Sequence, residues 1–233
     1  MSPTLTLDVW SDYVCPFCYL EFPVLDALRA EFGDQLDIRW RAFELRPDPV
    51  PTLEPRGEYL RTAWEQVVYP MAKERSMELY LPSVQPRSRL AFETQRFAQE
   101  HGLGTKMHQA LFQAFFEHDR DIGSIDELTD IGRALGLNAV RLKFALRNGD
   151  YTQGVQADRR EAERLGIAGV PAILLSTTDT TVQRRLLSGA QPLDSLREHI
   201  AAMLGATPQQ SAKRAAEHPQ CQPVPDRAFA QPV

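Results

Sequence analysis

Long apolar runs are missing from this chain: nothing in it approaches the ~18 consecutive apolar residues of a membrane helix, so no spanning segment is expected. An excess of one charge sign is missing too. Lys and Arg number 26 against 31 Asp and Glu, a formal net charge of -5, with both signs interspersed. Without a basic face or a polybasic cluster, nucleic acid and anionic membranes are poor candidates, and a protein or small-molecule partner is expected. The stretch "MSPTLTLDVW" has neither a positive n-region nor an apolar h-region, and the cytoplasm is the expected compartment. Cysteine is scarce, with three in 233 residues. At 43% hydrophobic, a chain of this length buries a substantial core without disulfide staples. In a reducing compartment its few thiols read as catalytic, metal-binding or incidental.

Two of the three cysteines stand with two residues between them in "SDYVCPFCYLEFP", Ser11 to Pro23. In the run before them Leu5, Leu7 and Val9 alternate with polar or amphipathic residues, which is strand-like. After them Leu20, Val24, Leu28 and Phe32 recur every four residues, marking one face of a helix that ends near Gly33. Pro23 falls about two turns in, so a kink is predicted near Tyr19 to Pro23. "LDIRWRAFEL" alternates again, with Leu36, Ile38, Trp40 and Ala42 on one side. Strand, helix, strand is the start of a layered α/β domain.

The prolines of "RPDPVPTLEP" read as a linker, and helical periodicity then dominates for about a hundred residues. "RSRLAFETQRFAQEHG" carries Leu90 and Phe97, while "TKMHQALFQAFFEHD" places Met107, Leu111, Phe115 and Phe116 on one side. Ser124 stands three residues before Glu127, a capping-box signature. A further helix, "YTQGVQADRREAERLG", leads into "IAGVPAILLS", which suits a buried strand; "RRLLSGAQP" suggests a short strand and "LDSLREHIAAML" a closing helix. The strand pattern thus returns after the helical block. The expected organisation is a discontinuous α/β domain of residues 1–50 and 151–205, a helical insertion of 51–150, and a tail of 206–233. The tail is rich in Pro, Gln and Ala and poor in large apolar residues.

Cys15 should lie at the start of the first helix, where unpaired N–H groups and the positive end of the macrodipole favour thiolate. Cys18, one turn on, is close enough to close a small disulfide or to attack a mixed disulfide formed by Cys15. Pro16 suits the first helical turn, which needs no donor. Phe17 adds no positive charge, so an activated but not extremely acidic Cys15 is expected. Two plainer readings compete. A zinc site needs two further ligands, usually a second close Cys or His pair, and His101, His108, His118, His199 and His218 supply none. A buried inert pair is the other, since cysteine is often just a small hydrophobe; the strand-to-helix placement counts against it.

In "GVPAILL", a proline at a strand's beginning removes a ladder donor and belongs at an edge or a special bond. Val170–Pro171 is a candidate cis peptide, although an ordinary trans proline is the commoner case. Taken together, "DYVCPFCYL", "RWRAFELRPD", "HQALFQAFFEHDRDIGSIDEL", "EAERLGIAGVPAILL" and "LSGAQP" resemble the DsbA-like branch of the thioredoxin superfamily, more closely its FrnE-like group of disulfide oxidoreductases. The resemblance implies a thioredoxin-like α/β fold with a large all-helical insertion. It further implies Cys15 as nucleophile, Cys18 as resolving thiol and Pro171 as a cis-proline beside them. Pro16, Phe17 and the Val170 backbone would meet the substrate, the last through strand-like hydrogen bonds. Thiol–disulfide exchange on protein disulfides is implied, with no cofactor beyond glutathione as a redox partner and no metal. Where the group commonly has tryptophan this chain has Phe17, and Glu21 stands near its glycine.

Another branch of the fold, that of 2-hydroxychromene-2-carboxylate isomerase and kappa-class glutathione transferases, is the alternative. It usually has serine at the nucleophile, whereas both cysteines are present here. A protein-binding module with vestigial cysteines is a third reading, separated by Cys15→Ser: exchange needs the thiol and binding does not. Cys221 reads first as a bystander in the tail, with a second role as a redox partner of Cys15. Met107, Phe115 and Phe116 are candidates for a hydrophobic substrate groove, although at helical spacing they are more often core.

Overall fold

A computed structural model describes residues 5–179 and 181–205. Four strands form one sheet in the order β2-β1-β3-β4: β1 (Leu5–Ser11), β2 (Leu36–Ala42), β3 (Ala172–Thr177) and β4 (Arg185–Ser188). β2 runs parallel to β1, with Leu5 opposite Leu36 and Ser11 opposite Ala42, whereas β3 is antiparallel to β1 and β4 to β3. A parallel pair needs a crossover, and α1 (Pro16–Phe32) supplies it. Leu25, Leu28 and Phe32 of α1 and Leu196, Ile200 and Met203 of α9 (Leu193–Met203) bury the aliphatic sides of β1 and β3. This is the DsbA-like thioredoxin arrangement of mixed sheet and many helices.

Between β2 and β3 come α2 (Glu58–Ala63), a π-helical turn over Trp64–Val68, α3 (Tyr69–Glu74), α4 (Arg89–Glu100), α5 (Gly104–Phe116), α6 (Ile125–Ala134), α7 (Ala139–Asn148) and α8 (Thr152–Arg164). Their apolar faces do not close on themselves. Tyr13, Cys15, Cys18, Tyr19, Leu20 and Phe22 share one continuous cluster with Trp64, Phe92, Phe112, Phe115, Phe116 and Leu142. The helices therefore pack directly around the cysteine turn. Among the described residues no helix is long and apolar enough to cross a membrane.

Several local expectations need correction. Met107, Leu111 and Phe115 are fully buried and Phe116 nearly so; they are core, not the lining of a groove, because all of them point into the helix-packed interior. The linker after β2 is no free spacer: Arg87 Nη1 donates to the Arg46 and Val50 carbonyls at 3.0 and 2.9 Å. The capping box is half formed. Ser124 Oγ accepts from Glu127 N at 3.5 Å, but the Glu127 carboxylate takes Arg120 Nε at 2.6 Å and Ser124 N donates to Asp121 O. Helix α7 lies within the expected helical block, its own bounds set by Asn138, which caps its start, and Gly149, at φ 67°, its end. The expected bend at Pro23 does not end the helix: α1 continues through it, and Arg75 donates to the Leu20 carbonyl one turn before it.

Candidate active site

β1 ends at Ser11, and residues 12–14 turn the chain into α1. Cys15 is the N-cap of that helix, at φ -96° and ψ 111°, with Pro16 at its first position. The turn is closed by its own backbone: Cys15 N donates to Asp12 O at 3.1 Å and Cys18 N to Cys15 O at 3.1 Å. Cys15 and Cys18 are both free thiols and both buried, and Asp12 N lies 3.5 Å from Cys18 Sγ as its donor. Burial pushes the Cys18 thiol well above its ordinary range, and the hydrogen bond and charge of Cys15 push it further. Both effects favour the neutral thiol over the thiolate at Cys18.

Val170 comes from 155 positions further along, where the loop after α8 enters β3. Its carbonyl is 3.7 Å from Cys15 Sγ, and the Val170–Pro171 peptide is cis. Pro171 O accepts from Gly189 N at 2.8 Å, which ties the loop to the end of β4. Phe17 is half-buried against the aromatic cluster, and Val170 packs on the same cluster. The fold thus brings Cys15, Pro16, Phe17, Cys18, Val170 and Pro171 to one place, while Cys221 lies outside the described residues. Among those residues no group of three or more His, Cys, Asp or Glu is placed to hold a metal ion.

Three buried polar groups around the turn escaped the sequence reading. Asp12 is wholly buried; its carboxylate accepts from Leu45 N at 2.7 Å and Val14 N at 3.4 Å. Burial raises its pKa from 3.8 to about 6 despite those bonds. Glu21, one turn past Cys18, accepts from Gln191 N at 2.9 Å and Arg75 Nη1 at 3.3 Å, and burial lifts its pKa to about 7. His108 bonds the Tyr13 hydroxyl through Nδ1 at 2.9 Å and stacks on Trp40 with ring centroids 3.9 Å apart. Its pKa falls to about 3, burial being the main cause. An acid between apolar neighbours, as in "YLEFP", was the one available signal; nothing local marks His108.

Comparison with known proteins gives one consistent result. The model of the DSBA-like thioredoxin domain matches residues 6–201. YwbO of Bacillus subtilis (strain 168), an uncharacterised protein, is 36% identical over 180 residues, which span 75% of this chain and 88% of YwbO. DsbM of Pseudomonas aeruginosa, described as a cytosolic disulfide reductase, superimposes with a TM-score of 0.67 at 23% identity, over 86% of this chain and 98% of DsbM; it has also been solved with GSH. 2-Hydroxychromene-2-carboxylate isomerase superimposes with a TM-score of 0.69 at 18% identity, over 89% and 98% of the two chains. At these identities the two structures speak to the fold alone.

Proposed function

This chain belongs to the DSBA-like thioredoxin domain family, and from that premise we propose that it is a thiol–disulfide oxidoreductase or isomerase acting on protein disulfides through Cys15 and Cys18. One observation carries the reading: Cys15 caps the first helix with the Val170 carbonyl 3.7 Å from its sulfur and Cys18 one turn on, and burial pushes the Cys18 thiol well above its ordinary range. Cys15 as thiolate attacks one sulfur of a substrate disulfide, forming a mixed disulfide and releasing the other sulfur, which takes up a proton. Cys18 then gives up its proton and attacks Cys15 Sγ; the mixed bond breaks and the second substrate sulfur leaves as a thiol. The substrate disulfide gains two electrons and two protons, and the enzyme ends as the Cys15–Cys18 disulfide.

Val170, with Pro16 and Phe17 beside the sulfur, supplies the substrate contact in this reading, and Pro171 holds Val170 in place. Residues 1–50 and 151–205 form the thioredoxin-like unit, 51–150 the insertion and 206–233 the tail; all four strands fall in the first two ranges. The FrnE-like grouping rests on the motifs quoted above. The cytoplasm is the proposed compartment, as it is for DsbM, a cytosolic disulfide reductase, and it favours the reducing or isomerising direction, with glutathione as a candidate redox partner. The small-molecule alternative draws its support from the likeness to 2-hydroxychromene-2-carboxylate isomerase.

The test is the equilibrium reduction potential of the Cys15–Cys18 pair against glutathione, with Cys221→Ala as a parallel sample. A two-electron transition with the same midpoint in both proteins is expected. A pair that never closes but traps glutathione on Cys15 would replace this reading with the glutathione-dependent one. A midpoint that moves in Cys221→Ala would bring the tail into the redox centre.

A further inference from the structure

The segment after β2 is held far more firmly than a proline-rich connection requires. Since β1 and β2 are parallel and Ser11 lies opposite Ala42, residues 43–46 continue alongside the turn that carries Cys15. Phe43 N donates to Ser11 O at 3.1 Å, and Leu45 N to the buried Asp12 carboxylate at 2.7 Å. Asp12 is the same residue whose backbone contacts Cys15 N and Cys18 Sγ.

Three arginines grip the segment as well. Arg159 Nη1 donates to Glu44 O at 2.7 Å, with its guanidinium 4.3 Å from the centre of the Phe43 ring. Arg89 pairs with the Glu44 carboxylate. Arg87 holds the carbonyls of Arg46 and Val50 and lies 3.2 Å from Asp48. Much of the backbone polarity is thereby satisfied from within the protein. Among its exposed side chains Leu45 and Val50 are apolar and each 38% exposed, with the Asp48 carboxylate, 81% exposed and paired with Arg87, between them in sequence.

An apolar side chain on backbone that is already ordered binds without the usual entropy loss, and rigidly mounted loops are where substrate contacts concentrate. We propose that Leu45, supported by Val50, is a specificity-determining contact that takes an apolar side chain of the polypeptide joined to Cys15 in the mixed disulfide. This inference rests on the reading of Cys15 as nucleophile and deepens it. A polypeptide is chosen over glutathione because glutathione carries carboxylates and no apolar side chain, so Leu45 and Val50 would gain nothing from it.

The test uses the full chain and three disulfide probes: a peptide with Leu beside its cysteine, the same peptide with Ser there, and hydroxyethyl disulfide. The parent should prefer the Leu peptide. Leu45→Ser should lower kcat/KM for that peptide about tenfold, the low end of what one apolar contact discriminates, through KM and not kcat. The other two probes should be unchanged, and Leu45→Met should restore the preference. An equal loss on all three probes, no loss, or a parent without preference overturns the proposal. Titration calorimetry with a cysteine-free Leu peptide separates the two readings: if the parent exchanges with no probe, the nucleophile reading fails, and Leu45 stands or falls on whether Leu45→Ser weakens that binding.

Discussion

Around the cysteines the core is rich in rings, whereas the core beneath α1 and α9 is mostly aliphatic, with Phe32 buried in it and Trp40 at its margin; buried titratable groups stand beside both, Glu31 paired with Arg197 on the second side. In the first, Phe112 lies 5.0 Å from Tyr13 and 5.2 Å from Tyr19, ring centre to ring centre, and Tyr13 and Tyr19 bracket Cys15 and Cys18. In the second, Leu7, Leu28, Ile173 and Leu196 simply fill space between sheet and helices. Aliphatic packing needs volume and pattern and tolerates exchange. Ring packing adds geometric preference, which suits a core that must hold two sulfurs in a set relation.

Truncation on each side gives the largest expected effects and the plainest way to break that contrast. Phe112→Ala should cost about 3–5 kcal/mol and Leu196→Ala about 2–5 kcal/mol, read from urea unfolding. Only Phe112→Ala should also shift the Cys15–Cys18 reduction potential, because it loosens the rings that flank the turn. Equal shifts in both variants, or none in either, would reduce the aromatic core to packing alone.

The titratable groups sharpen the comparison next. Asp12 and Glu21 have folded pKa values of about 6 and 7, raised from 3.8 and 4.5, so the folded chain holds these protons more tightly than the unfolded one. Their stabilising contribution is complete below about pH 4 and is lost as pH rises through 6 to 7, each on the order of 3 kcal/mol. Stability measured from pH 4 to 8 should therefore fall less steeply in Asp12→Asn and Glu21→Gln than in the parent. His108 acts in the opposite sense. Its folded pKa of about 3 lies below the ordinary 6.5, so its contribution is present above pH 6.5 and lost as pH falls toward 3; His108→Phe should be less sensitive to acid. Parallel pH curves for parent and variants would rule out these assignments.

The smallest effect belongs outside both cores. Ser124 caps α6 through Glu127 N, and Ser124→Ala should cost about 1 kcal/mol with the thiol chemistry untouched. A change in exchange rate would mean that the helical segment communicates with the turn through more than packing.

Much of the fold could be read from the residues because period and punctuation are local. Leu5, Leu7 and Val9 announced a strand, Leu20 to Phe32 a helix, and Cys15 its beginning. Less could be read where signals were weak or shared. Glu127 fits a capping box, but nothing near it says that Arg120 will claim its carboxylate. The prolines after β2 read as a linker because the arginine that clamps it, Arg87, lies about 40 positions away.

By itself the sequence determined that β1, α1 and β2 follow one another and that a Cys-Pro-Phe-Cys pair stands at a helix start, which follow from backbone preferences and side-chain period over a few residues, while the family was legible through the resemblance of motifs spread along the chain. Only the tertiary structure decided that the Val170 carbonyl meets Cys15, that Asp12 ties the cysteine turn to Leu45, and that Glu21 and His108 are buried beside it. Those outcomes depend on desolvation and on contacts between segments tens to more than a hundred residues apart, and neither quantity is a property of any local stretch of chain.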